Sequence, residues 1–192
     1  MLDKLTGQKC VCPWWLCFTF DNPLRRLLHN PEAILNRYVR PGDRAIDVGA
    51  GMGYFSVCLA RLVGPSGHVT AIDIQPQMLS ALAKRARKRN VSDRLTTHLA
   101  SQRSLGAHAA ADFILAFWMV HEVPDLRSLL AEIRDLLKPS GLFLLVEPIV
   151  HVSKGGFLQT LEIAEDVAFF IKERPKIRVS HSALLGRNDN RL

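Results

Sequence analysis

The chain has 192 residues, 48% hydrophobic and 22% charged, which are the proportions of one globular domain with a substantial core. No apolar run reaches the roughly 18 residues of a membrane span. The first segment, broken by Pro13 and lacking a small-residue cleavage site, does not read as a signal peptide, so a cytoplasmic address is expected.

The net charge of +7 admits an anionic partner, and its distribution decides what it means. One basic cluster is "AKRARKRN", residues 83–90, and another lies in the last twenty residues. The first follows Met78, Leu79, Leu82 and Ala86 at helical spacing, so its plain reading is the solvent face of a surface helix. No aromatic residues interleave it, as a single-strand nucleic-acid surface requires. A nucleic-acid partner is therefore not expected.

Residues 1–30 stand apart from the rest. "CVCPWWLCFTFDNPLRRLLH" holds Trp14, Trp15 and three of the four cysteines, Cys10, Cys12 and Cys17. Their C-x-C-x4-C spacing, with Cys58 far away, matches no common zinc pattern. From residue 31 the chain alternates regularly, and 31–192 is read as the main domain.

In chain order, "PEAILNRYV" predicts a helix with Pro31 in its first turn. "RAIDV" predicts a strand, followed by a helix over 53–63 that places Cys58 on its buried face. "GHVTAID" predicts a strand after the turn "GPSG", then a helix over 77–89. "RLTTHLA" and the strongly apolar "ADFILAF" are strands, and residues 125–137 a helix. "GLFLLVEP" is a strand after the turn "KPSG", and 154–166 a helix.

Strands separated by helices imply βαβ crossovers and a mostly parallel sheet. The continuous runs "DFILAF" and "LFLLV" suit strands buried on both faces. In "AFFIKERPKIRVSHSALL" two strands flank residues 174–176 with no room for a helix, so that pair must be antiparallel.

The chemistry begins at "AIDVGAGMGYFS", with three glycines in five residues. A phosphate loop needs Lys and a hydroxyl after its last glycine, but Tyr54 and Phe55 follow Gly53. A dinucleotide fingerprint needs glycine where Tyr54 stands. Asp47, two residues before the first glycine, suits a cationic ligand better than a pyrophosphate.

Asp47-Val-Gly-Ala-Gly-Met-Gly53 resembles the first motif of class I S-adenosylmethionine-dependent methyltransferases, and further segments follow in that family's order from residue 31 to the C-terminus. The resemblance implies a three-layer Rossmann-like α/β fold with a mostly parallel seven-stranded sheet and an antiparallel C-terminal strand. It implies S-adenosylmethionine as cofactor, with Asp47, Gly49, Ala50, Gly51 and Gly53 on the glycine loop. Asp73 would take the ribose hydroxyls, Ile74 and Gln75 would flank the adenine, and Phe117 would line the cofactor site. Ser101 stands where many members use Asp or Asn for the adenine amino group, with Gln102 as the other candidate.

Absences narrow the acceptor. The "AFWMV" segment lacks the [N/D]-P-P-[Y/F/W] of relatives that methylate amino groups, and the Asp of ribose 2′-O relatives. A nucleophilic Cys for carbon-5 pyrimidine chemistry is also missing from that region. "FWMVHEV" is most similar to the group acting on small molecules such as quinone rings, sterols and arsenite. Trp118, His121 and His151 are read as acceptor-facing, together with a lid over 1–30 carrying Trp14 and Trp15.

His121 is the expected general base, with Glu147 beside it in a catalytic role. His121, Glu122, Glu147 and His151 have no diagnostic metal spacing, and no metal is assigned. Two other readings stay open: an RNA or protein methyltransferase docking through helix 83–90, and a non-catalytic module that binds S-adenosylmethionine.

Overall fold

The computed structural model describes residues 28–189. The sequence-predicted lid, with Trp14, Trp15, Cys10, Cys12 and Cys17, lies outside them. Helix α1 spans Pro31–Leu35, and Asn30 starts it, its side chain accepting from Glu32 N–H and Ala33 N–H. Then come β1 (Arg44–Val48), α2 (Ser56–Leu62), β2 (His68–Asp73), α3 (Pro76–Lys88), β3 (Leu95–Leu99) and β4 (Ala111–Phe117). A single 3₁₀ turn, Val120–Glu122, precedes α4 (Leu126–Leu136). The chain closes with β5 (Leu137–Pro148), α5 (Lys154–Asp166), β6 (Phe169–Glu173) and β7 (Ser180–Arg187).

The seven strands form one sheet in the order β3-β2-β1-β4-β5-β7-β6. The pairings among β3, β2, β1, β4 and β5 are parallel, and β7 runs antiparallel to both β5 and β6. The expected α/β fold, with its antiparallel last strand, is what forms. No helix among the described residues is long and apolar enough to cross a membrane.

Strand periodicity divides the core into two layers. Ile46, Ile114, Phe143 and Leu145 face α4 and α5, where Leu130, Ile133, Phe157 and Leu161 meet them. Ala45, Phe113, Leu115, Leu144 and Val146 face the opposite way, toward Leu35, Leu59 and Leu82. Because Glu147 continues the parity of Phe143 and Leu145, it belongs to the α4–α5 face. Asp47 and Asp73, two residues beyond Ala45 and Ala71, belong to the other.

One expected element is corrected. "KPSG" is not a turn ahead of a strand, because β5 begins at Leu137, directly after α4, and carries those residues as an irregularity. Ala111 pairs with Leu137, and the next partner, Phe113, pairs with Leu142. Asp112, at the slip, accepts Lys138 Nζ at 2.7 and 2.8 Å and Arg44 N–H at 2.9 Å. Those bonds hold the segment against the sheet instead of releasing it as a loop.

Phe143 is fully buried, with its ring 5.5 Å from that of Phe169 beneath α5. Phe143→Ala should destabilise the domain by about 3–5 kcal/mol, read as a lowered denaturation midpoint at unchanged slope in urea.

Candidate functional site

All the sequence-predicted site residues among those described lie at the carboxyl ends of β1 to β5 or in the loops that leave them, where ligands sit in open parallel sheets. The loop after β1 hangs on β2: Gly49 N–H and Ala50 N–H both donate to the Ile72 carbonyl at 2.9 Å. Asp73 then joins three segments. Its Oδ2 accepts Gly51 N–H and its Oδ1 accepts Gln75 N–H, each at 2.9 Å. Burial raises its pKa, and the N–H groups of Gln75, Gly51 and Ile74 oppose that rise. With 9% of its surface exposed, the carboxylate stays reachable from the loop. Ile74 and Gln75 follow it, both half-buried.

Asp47 is buried and accepts Ser56 Oγ–H at 2.5 Å. It therefore also ties the end of β1 to the first turn of α2.

The three loop glycines have different reasons to be glycine. A Cβ on Gly49 would stand 2.6 Å from Met119 Cγ, and one on Gly53 would stand 2.7 Å from Leu82 Cγ. Both are filled from within the protein. Gly51, at φ +53°, has no atom within 4 Å of that position. Its missing side chain opens onto space.

Of the residues expected near the adenine, Ser101 closes its own turn. Its Oγ accepts Arg103 N–H at 3.2 Å and Ser104 N–H at 3.0 Å, and Gln102 beside it is exposed.

The end of β4 carries the other half of the site. Phe117 lies in an aromatic group with Phe55 at 4.3 Å and Trp118 at 5.7 Å between ring centroids. Trp118 sits at φ +60°, a conformation costing a non-glycine residue about 1–2 kcal/mol. Two bonds hold it there: its N–H to the Val146 carbonyl at 2.7 Å, and Nε1–H to Ser180 Oγ at 3.0 Å.

The reversal delivers the 3₁₀ turn to the end of β5. Glu147 Oε1 accepts Val120 N–H at 3.0 Å, while Oε2 accepts His121 N–H at 3.1 Å and His121 Nδ1–H at 2.7 Å. Glu147 is only 1% exposed, whereas the His121 side chain that it holds is 22% exposed. The exposed His151 ring stacks on that of His121 at 5.6 Å and 7°. His121, Glu147 and His151 are thus brought together. Among the described residues no group of three or more His, Cys, Asp or Glu could hold a metal ion.

His29, Met119 and Ser180 belong to the site without having been singled out in the sequence. His29 is 1% exposed and edge-on to Phe117 and Trp118, at 5.1 and 4.8 Å. Its Nε2–H donates to the Arg178 carbonyl at 2.8 Å, and its own carbonyl accepts Tyr54 Oη–H at 2.8 Å. Nothing in "HNPE" marks a buried histidine, because its partners lie 25 to 149 residues away.

Residues 40–169 match the family model described as "Methyltransferase domain". The chain is 32% identical to the demethylmenaquinone methyltransferase of Lactobacillus johnsonii over 104 residues, 54% of this chain and 43% of that one. It is 33% identical to the ubiquinone/menaquinone biosynthesis C-methyltransferase UbiE of Rhizobium etli over 117 residues, 60% of this chain and 45% of that one. It thus spans about half the length of the curated relatives it matches. A SAM-dependent methyltransferase from Aquifex aeolicus superposes with a TM-score of 0.81 at 20% identity, covering 92% of this chain and 98% of that one. The [4+2]-cyclase SpnF superposes at 0.67 and 20% identity over 85% of this chain and 80% of that one, so the fold by itself does not name a reaction. The family match spans most of the domain that the glycine loop, Asp73 and the reversed last strand had delineated: the chain belongs to the class I S-adenosylmethionine-dependent methyltransferases.

Proposed function

We propose that the chain binds S-adenosylmethionine across the loop after β1 and transfers its methyl group to a small-molecule acceptor beside His121. The observation that carries this reading is Gly51. Of the three loop glycines it alone faces open space, and its N–H is fixed by the same Asp73 carboxylate expected at the ribose. That open cradle, next to the Asp73 carboxylate, fits a nucleoside with an aminoacid tail. Gly49, Ala50, Gly51 and Gly53 would hold the tail side, Asp73 the ribose, and Ile74 and Gln75 the adenine. Asp47 would act on the tail ammonium from behind the loop. When bound, S-adenosylmethionine supplies an electrophilic methyl carbon on a sulfonium.

The chain's own contribution is alignment and the handling of one proton. Holding two reactants in line contributes up to roughly 7–11 kcal/mol, and Trp118, fixed at both its backbone and indole N–H, gives that wall rigidity. Glu147 accepts the Nδ1 proton of His121, so the basic lone pair sits on Nε2. His121 then removes a proton from the acceptor, a step worth about 10²–10⁴ in rate. Glu147 stabilises the imidazolium that results and acts through His121 as a positioning residue. The quinone-biosynthesis names of the relatives support an acceptor of the quinone class.

Gly51→Ala should cost about 1–2 kcal/mol of stability from its positive φ yet abolish S-adenosylhomocysteine binding in calorimetric titration. Gly53→Ala, which drives a methyl into Leu82, should lower the melting temperature further. Retained affinity in Gly51→Ala would remove the central support for the cofactor site.

Because burial raises the Asp73 pKa, its carboxylate protonates at a higher pH than a free aspartate. Affinity for S-adenosylhomocysteine should therefore fall on acidification from that higher pH. Asp73→Asn should bind weakly with no such acid limb.

Glu147→Gln turns an amide N–H₂ toward N–H donors, leaving buried groups unsatisfied at about 1–3 kcal/mol. Thermal denaturation should show that loss while S-adenosylhomocysteine affinity stays near wild type.

A further inference from the structure

A second concavity adjoins the His121–Glu147 pair and plays no part in holding the nucleoside. It is a cleft of about 280 Å³ between the first turn of α5 and the β6–β7 hairpin. Three cations line it, Lys154, Arg174 and Lys176, together with His181, Phe157 and Ser180. No aspartate or glutamate lines it, and none of those three cations makes an ion pair among the described residues. Glu173, the acid next to Arg174, is turned to Arg37 at 3.2 Å. A cleft with walls of one sign concentrates its field on a counter-ion.

His181, half-buried in the cleft wall, is backed by the buried Phe157 ring, with centroids 5.4 Å apart and 23° between planes. Helix α5 opens with Lys154, Gly155 and Gly156. A Cβ on either glycine would meet only ordinary contacts, at 3.9 Å for Gly155 and 3.5 Å for Gly156. Packing therefore does not require glycine there, but Ser153 Oγ accepts the Gly156 N–H at 3.1 Å, so the charge facing the cleft comes from the three cations.

The cleft connects to the acceptor position at two points. His181 pairs with Glu147 in the β5–β7 register, and cross-strand partners share a face. Ser180, in the cleft wall, accepts the Trp118 indole N–H at 3.0 Å.

We infer that this cleft binds the anionic group, phosphate or carboxylate, of an acceptor molecule whose flat body lies against His181. The inference rests on the proposed methyl transfer only in calling the ligand an acceptor; the anion site itself stands on the cleft. Its volume suits a small headgroup or aromatic acid, and the backbone segment 174–178, "RPKIR", supplies charge that neither the fold nor the nucleoside site uses.

The test is calorimetric titration of the full chain with phenyl phosphate, benzoate and neutral phenol, alongside S-adenosylhomocysteine. The variants are Arg174→Gln, Lys176→Gln and the double substitution, all at exposed positions. The expected result is saturable binding of one or both anions and at least tenfold weaker binding of phenol. Each single variant should lose about tenfold in anion affinity, with S-adenosylhomocysteine affinity unchanged. Whichever of phenyl phosphate and benzoate binds more tightly identifies the headgroup. Absence of anion binding, equal binding of phenol, or undiminished binding by the double variant would overturn the site. Failure of S-adenosylhomocysteine to bind while phenyl phosphate does would instead remove the methyl-donor reading and leave the cleft standing.

Discussion

Strands of a parallel sheet all release the chain at the same edge, and the loops there need partners for backbone N–H groups that the sheet does not supply. Two acids meet that need. Asp73 takes the N–H groups of Gly51 and Gln75, and Glu147 takes those of Val120 and His121. Each stands at the end of its own strand and holds a loop that leaves a different one. Without them the Gly51 end of the glycine loop and the His121 turn would lose these anchors at the edge where the proposed site lies. The proposed chemistry depends on this arrangement, in which structural acids hold the loops in place.

The same arrangement explains a division between the two acids. Asp73 keeps an exposed edge and is raised in pKa by burial, so it can both hold its loop and meet a ligand. Glu147 spends both oxygens on N–H groups and one imidazole, so its influence passes through His121 alone. Two carboxylates at equivalent strand ends thus differ in access, because the turn leaving β4 covers Glu147 while Asp73 keeps 9% of its surface exposed.

Much of this was legible in the sequence because the determinants are local. The buried strands announce themselves as "DFILAF" and "LFLLV", and the βαβ rhythm sets the parallel sheet. Glycine spacing with an acid at each of two strand ends points to the nucleoside. What could not be read depends on long-range partners. "KPSG" is turn-like in composition, but Lys138 finds Asp112 across the sheet and keeps the segment in β5. Glu147 reads as a partner of His121 in the sequence, but its bonds to the Val120 and His121 backbone N–H groups appear only once the 3₁₀ turn wraps it. Trp118 adopts a left-handed conformation no propensity would assign, held by Val146 and Ser180. His29 lies outside the expected domain boundary, yet it is buried among Phe117, Trp118 and the Arg178 carbonyl. The lid expected over 1–30, with its tryptophans and cysteines, lies outside the described residues.

The antiparallel strand β7 sits between β5 and β6 rather than at the edge. The last hairpin therefore enters the sheet beside the acceptor wall, while the nucleoside loop lies across β1 and β2 on the far side of β4. In the proposed reading, recognition of the common donor and of the particular recipient would be written in separate stretches of chain. Changes within 174–182 would retune which molecule is accepted without touching the residues proposed to grip the nucleoside. A descendant of this protein could change its diet by editing one hairpin.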